Sequence, residues 1–331
     1  RWQWRDSRLP EEASRALTVL KTQDGQALFP VVTDGWVGVP QSASLTIGPG
    51  TILLFAQGNH GLWSDGNLTL GEAGQEPVIF SSVRDPAFSK EGGAQPGDWS
   101  GFHMKFGSNA EKQVRNLEIR YGGAENIPCL RLESTAPLLE EITVVNCAAS
   151  PVSSDAGSQP EVIDLDIQEN DRSNTWEIWE STLAEAKTYT WEILTNRQGE
   201  QVVRRVAGVV TVETGATLQV SAGVIVKFTD GKGIKSKGAL QVDGTAQKPV
   251  IFTSYRDPVG GGDESGAQPG DWGGVVLDRS AGANLANLEI RYAGNPGSKV
   301  GCLNFTQSQA TLKDIVILSC GYYPVTSDIA S

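Results

Sequence analysis

The sequence is poor in the side chains from which catalytic and metal centres are most often built. It holds two histidines, four cysteines and one methionine in 331 residues. It has no Cys-x-x-Cys and no Cys/His spacing of the kind that binds zinc. No apolar run is long enough to cross a bilayer and no signal-peptide pattern is present, so membrane insertion is not expected. Basic clusters are missing too. The net charge is −12. Acids exceed bases in both halves, 18 to 12 in residues 1–156 and 21 to 15 in residues 157–331. Nucleic acid and anionic membrane surfaces are therefore poor partners. Arg1 opens directly into Trp2 and Trp4, as expected of a mature protein or an excised piece.

Glycine, by contrast, is abundant at 38 residues in a chain that is 39% hydrophobic. This composition suits short strands broken by turns, and it is too apolar for disorder. The dominant pattern is internal repetition. Gly93-Ala94-Gln95-Pro96-Gly97-Asp98-Trp99 returns unchanged at Gly266 through Trp272, and Asn116 through Tyr121 returns at Asn287 through Tyr292. Pro77 through Phe80 returns at Pro249 through Phe252, and Arg84-Asp85-Pro86 at Arg256-Asp257-Pro258. The offsets stay between 171 (116 to 287) and 173 (93 to 266), which marks a tandem duplication.

Within each copy the expected strands are short and bounded by Gly, Asp, Asn or Pro. In the second copy they are Val209–Val212, Thr217–Val220, Val224–Phe228, Ala239–Val242, Val250–Ser254, Gly274–Leu277, Leu288–Tyr292, Cys302–Phe305 and Ile315–Leu318. Leu218-Gln219-Val220 and Leu240-Gln241-Val242 alternate in the same phase, and their spacing suits one turn of a β-solenoid. A β-sandwich would also give many short strands. The recurrence, with few hairpin dipeptides, favours the solenoid.

The runs Val210-Thr211-Val212, Gly223 through Phe228, Pro249 through Ser254, Gly270 through Gly274 and Ile290 through Gly294 resemble rungs of bacterial right-handed parallel β-helix surface proteins. The resemblance covers residues 31–156 and 204–331. It implies an all-β, pectate-lyase-like right-handed parallel β-helix in two tandem modules, with a cell-surface or secreted setting. It leaves function open, because this superfamily hosts lyases, adhesins and inert stalks. The expected organisation is module 1 over 1–156, an acidic linker over 157–174 and module 2 over 175–331. Val162 through Leu165 is an alternative short strand inside the linker. Ser7 through Leu17 is expected as a short capping helix, with Ser181 through Ala186 as its echo.

The cysteines form equivalent pairs, Cys129 with Cys147 and Cys302 with Cys320, at identical spacing. If that spacing is about one rung, the Cα atoms stack about 4.8 Å apart, within disulfide reach. A buried thiol ladder is the alternative; the oxidising setting implied by the resemblance favours the disulfides.

Catalysis has little to stand on. His103 aligns with Val276 and the region of His60 with Gly and Lys, so no general base is shared by both copies. A lyase of this fold would need acids holding calcium beside a proton-abstracting base. Arg120/Arg291 and Arg84/Arg256 are the only repeated candidates, and a solvated strand face is the expectation for Arg120 and Arg291. The loop before Trp272 offers Asp257, Asp263, Glu264 and Asp271 as a candidate calcium set, although the first copy replaces its acidic centre. A solvated turn is the default there, and no cofactor is assigned beyond calcium.

Of nine tryptophans, Trp99 and Trp272 recur and are expected to clamp the long loop. Trp2, Trp4, Trp176 and Trp179 lie at module starts and are expected at junctions, leaving Trp36 and Trp63 as the better sugar-stacking candidates. Asn67-Leu68-Thr69 and Asn304-Phe305-Thr306 fit the glycosylation triplet, a pattern too common to assign. The expected function is an extracellular structural or adhesive protein, not an enzyme. A polysaccharide-binding module is the alternative, and a polysaccharide lyase the more remote one. Expected partners are neighbouring modules or further copies of the chain, stacked end to end on the last rung, and polysaccharide.

Overall fold

The computed structural model describes the chain apart from residues 1, 6–7, 22, 24–26, 91, 106–110, 168, 171–173, 262–265, 281, 296 and 329–331. At positions 2, 4, 5, 20 and 27 it describes the backbone alone. The chain is all-β and forms two compact units. The first comprises Arg1–Ser154, Ser158–Thr175 and Thr195–Glu200, and the second Asp155–Gly157, Trp176–Leu194 and Gln201–Ser331. Each is a parallel β-helix whose coils have three sides.

In the first unit one side stacks Ser14–Leu17, Ser44–Ile47, Asn67–Leu70, Lys112–Val114 and Leu138–Glu140 in parallel register. The next stacks Trp2–Arg5, Pro30–Asp34, Ile52–Phe55, Val78–Ser82 and Leu117–Arg120. The third stacks Trp36–Val39, Gly58–Ser64, Trp99–Met104, Leu130–Leu132 and Val152–Ser154. The second unit repeats the plan: Val210–Val212, Ile234–Ser236, Val275–Asp278, Leu303–Thr306 and Val325–Ser327 form its third side. All nine strands expected in the second copy are present, Val250–Ser254 with the expected bounds and the others with bounds that differ by a few residues.

Coil length follows from the pairing. Ser44 faces Asn67, a separation of 23. Arg115 faces Glu140, a separation of 25. In the second unit Thr217 faces Ala239, a step of much the same length. One long strand can serve two sides because it bends at a single residue. Lys112–Arg120 turns at Asn116, whose φ is 46°, and Ala283–Arg291 turns at Asn287, whose φ is 45°. Asn tolerates this left-handed conformation better than other non-glycine residues.

The interior is apolar and filled largely by alternate residues of strands such as Lys112–Arg120 and Thr217–Ser221. Phe55 stacks on Trp99 with centroids 4.1 Å apart, and Phe228 on Trp272 at 4.2 Å. Both tryptophans are fully buried, so they hold their loops from inside the coil.

Two sequence expectations need correction. No α-helix occurs among the described residues. Position 7 lies outside them, but Ser14–Leu17 is a strand paired with Ser44–Ile47, and Ser181–Leu183 is a strand paired with Val210–Val212. An isolated helix this short is marginal in water, whereas a sheet edge offers partners to the backbone groups that face it. The 157–174 segment is also not simply a tether. Glu161–Asp166 pairs with Leu138–Val145 as a further rung of the first unit, which is the alternative noted at Val162 through Leu165.

Candidate functional site

The repeated polar residues converge on the long loop of each unit. In the first, the buried Asp85 carboxylate accepts from the Ser81 hydroxyl at 2.6 Å and the Ala87 N–H at 2.9 Å, and Arg120 reaches it at 3.4 Å. Arg120 also donates to both oxygens of Glu118, at 2.7 and 2.9 Å. In the second, Asp257 accepts from Thr253, Val259 and Arg291 at 2.6, 3.0 and 3.3 Å, and Arg291 pairs with Glu289 at 2.8 Å. A second carboxylate closes the far end of each loop. Asp98 accepts from Ser82 at 2.6 Å with Arg84 3.6 Å away, and Asp271 accepts from Ser254 at 2.6 Å with Arg256 3.2 Å away.

Arg120 and Arg291 are therefore half-buried clamps, contrary to the expected solvated strand face. Their carboxylate partners hold them firmly charged, the hydrogen bonds to Glu118 and Glu289 being the largest cause. A guanidinium so held does not abstract a proton. The acids that flank the loop, Asp257 and Asp271, are folded onto the sheet where hydroxyl and amide donors lie, while the described residues between them are mostly exposed. In the second unit Lys227 adds an ammonium, which donates to the Asp257 carbonyl at 2.7 Å. Of the calcium candidates, Asp263 and Glu264 lie outside the described residues, while Asp257 and Asp271 already face arginine. The described residues contain no metal-like cluster of three acidic, histidine or cysteine side chains.

A different constellation lies on the third side of the first unit. Trp36 pairs with Gly61, and Gly38 with Trp63, which in turn faces His103 and then Arg131. The indoles lie across these glycines: a Cβ at Gly38 would sit 2.3 Å from the Trp63 ring, and one at Gly61 2.6 Å from the Trp36 ring. Trp36 Nε1 donates to Asn59 Oδ1 at 2.8 Å. The exposed Arg8 guanidinium lies 6.0 Å from the Trp63 ring centroid. His103 lies 3.1 Å from Glu133, and burial, with Arg131 and Lys105 nearby, pushes its pKa down to about 3. His60 lies between Asn59 and Gly61, with Nδ1 3.3 Å from the Gly35 carbonyl. Trp176 is buried in the second unit and Trp179 is half-buried, whereas for Trp2 and Trp4 only the strand is described.

Both disulfides are present, Cys129–Cys147 with Cα atoms 6.2 Å apart and Cys302–Cys320 at 5.9 Å. Their separation of 18 is shorter than the local coil, in which Arg115 faces Glu140 at a separation of 25. They join the turns of successive coils at different positions and do not stack as one rung. Asn67 is exposed, while Asn304 is buried and donates to the Gly301 and Val275 carbonyls.

Sequence reasoning missed Lys227, because Leu54 replaces it in the other copy and repetition could not flag it. It also missed Gly38, whose role is visible only once the register is known.

Three-sided parallel coils, repeated in two units with staples between turns, define a β-helix repeat protein. Within it, residues 194–311 match the family of pectate-lyase-like β-helix domains, in agreement with the resemblance of its rungs. No curated protein and no solved structure matches the chain.

Proposed function

We propose that the chain is a non-catalytic, extracellular adhesive protein whose two β-helix units each hold a fixed surface toward a partner. The observation that carries this is the use made of the duplicated acids and arginines. Asp85, Asp98, Asp257 and Asp271 each accept a side-chain hydroxyl and a loop N–H and face a guanidinium. The polar chemistry kept in both copies thus serves to fix loops. Two disulfides support an oxidising compartment. No helix among the described residues is long and apolar enough to cross a membrane.

The test is to incubate the chain with polygalacturonate and other acidic and neutral polysaccharides, with and without calcium, and to follow new reducing ends and unsaturated products. No release above the blank is expected. Turnover that is lost in Arg120→Lys or Arg291→Lys would establish a lyase instead.

A further inference from the structure

From the third side of the first unit we infer that Trp36 and Trp63 form a binding platform for a neutral polysaccharide. This rests on the adhesive reading and names the partner's chemistry. The two indoles bridge the same pair of strands at alternate positions, about 6.6 Å apart along the strand. Each ring lies too close to a glycine for a Cβ there: at Gly38 the three nearest atoms all belong to the Trp63 ring, whereas at Gly61 the Gly101 carbonyl comes first, at 2.4 Å, and the Trp36 ring next, at 2.6 Å. Both rings are half-buried, so each keeps part of its surface toward solvent.

The sister unit shows that the fold does not require this arrangement. Its matching register runs Thr211, Lys235, Val276 and Asn304 where the first unit has Gly38, Trp63, His103 and Arg131. Trp36 is matched by Val209. Trp63 and the glycine beneath it, Gly38, are exchanged together, whereas Gly61 is kept as Gly233 although Trp36 becomes Val209; the clamps and disulfides are kept in both units. The first unit alone has specialised this side.

The occupant follows from the chemistry displayed. Two flat aromatic surfaces favour a ligand with flat C–H faces, and the fringe of Asn59, the His103–Glu133 pair and Arg131 offers donors and acceptors to hydroxyl groups at its edge. A pyranose chain has both features. Arg131 and Arg8 offset Glu133 around the rings, so the preference rests on the whole chain's charge of −12, which disfavours a polyuronate against a neutral chain.

The experiment uses the full chain in affinity electrophoresis and fluorescence titration against soluble β-glucan, xylan, galactomannan and polygalacturonate, with product release measured in the same samples. Retention by at least one neutral polysaccharide is expected. Trp36→Ala and Trp63→Ala should each weaken it at least tenfold, and Gly38→Thr, which installs the sister unit's residue, should weaken it by lifting Trp63. Lys235→Ala should bind like the parent. Far-UV spectra and melting curves verify that each variant is folded; if Gly38→Thr fails to fold, the two alanine variants decide. The inference is overturned by no neutral polysaccharide being retained, by retention of polygalacturonate alone, or by folded alanine variants that bind normally. Product release sinks the non-catalytic reading instead, whichever face binds, so the two failures are distinguishable.

Discussion

Lys227 Nζ donates to the carbonyl oxygen of Asp257 at 2.7 Å, from the register position that Leu54 occupies in the first unit. The same loop is thus held by two kinds of chemistry. In the first unit Leu54 is buried, and Phe88 packs edge-on against Phe29 beneath the Arg120 guanidinium. In the second, a buried ammonium meets backbone carbonyls, Gly261 among them.

Lys227→Met should therefore destabilise the second unit by about 2 kcal/mol, since similar volume is kept but buried carbonyls lose their donor. Leu54→Lys should cost more, because the incoming charge would be buried. Urea denaturation, with limited proteolysis of residues 255–261, measures both.

Arg120→Met should cost about 2–3 kcal/mol, below the loss typical of a fully buried pair because the side chain is 23% exposed. Asp85 would keep its hydroxyl and amide donors but lose its counter-charge. Arg291→Met should behave alike. Unfolding midpoints that stay within error of the parent for both variants would contradict the clamp.

Non-reducing digestion should give one linked peptide for Cys129–Cys147, one for Cys302–Cys320 and none between them. Each bridge spans a sequence separation of 18, so its reduction should remove about 3 kcal/mol in the chain-entropy model. Calorimetry before and after reduction checks the size.

His103 supplies a pH signature. Its pKa is about 3 in the folded chain and 6.5 in the unfolded one. Between those values the unfolded state binds the extra proton, so stability falls as pH drops from 6.5 toward 3. The slope is at most about 1.4 kcal/mol per pH unit. Subtracting the melting curves of His103→Gln isolates this from the carboxylates, and a parallel pair of curves would refute it.

The solenoid was legible because coil spacing is written into alternation: Val250–Ser254 has the bounds its sequence implies. Ala283 through Ala286 was not legible as strand, since alanine and asparagine carry little β preference and pairing with Gln241 through Asp243 on one side and Ala310 through Lys313 on the other places them. The expected opening helices failed for a related reason, as a neighbouring edge overrode local propensity. At the site, Arg120 was visible as a repeated residue but its role was not, because Asp85 lies far upstream, on the other side of the long loop. Trp36 and Trp63 were visible as aromatics, and only the register shows that they share a floor.

Coil spacing also sets how the chain can fold. Most coils close loops of similar length, as from Thr217 to Ala239 or Gln113 to Leu138, however many coils precede them. The entropy lost in each addition is therefore nearly constant, and growth from any adjacent pair can proceed without searching distant sequence. The coil that carries the long loop is the exception. Leu68 must find Lys112 and Gln241 must find Asn284, nearly twice as far along the chain. Doubling the loop adds about 0.6 kcal/mol to its closure. The slowest addition in each unit is thus the coil whose tryptophan later plugs the core.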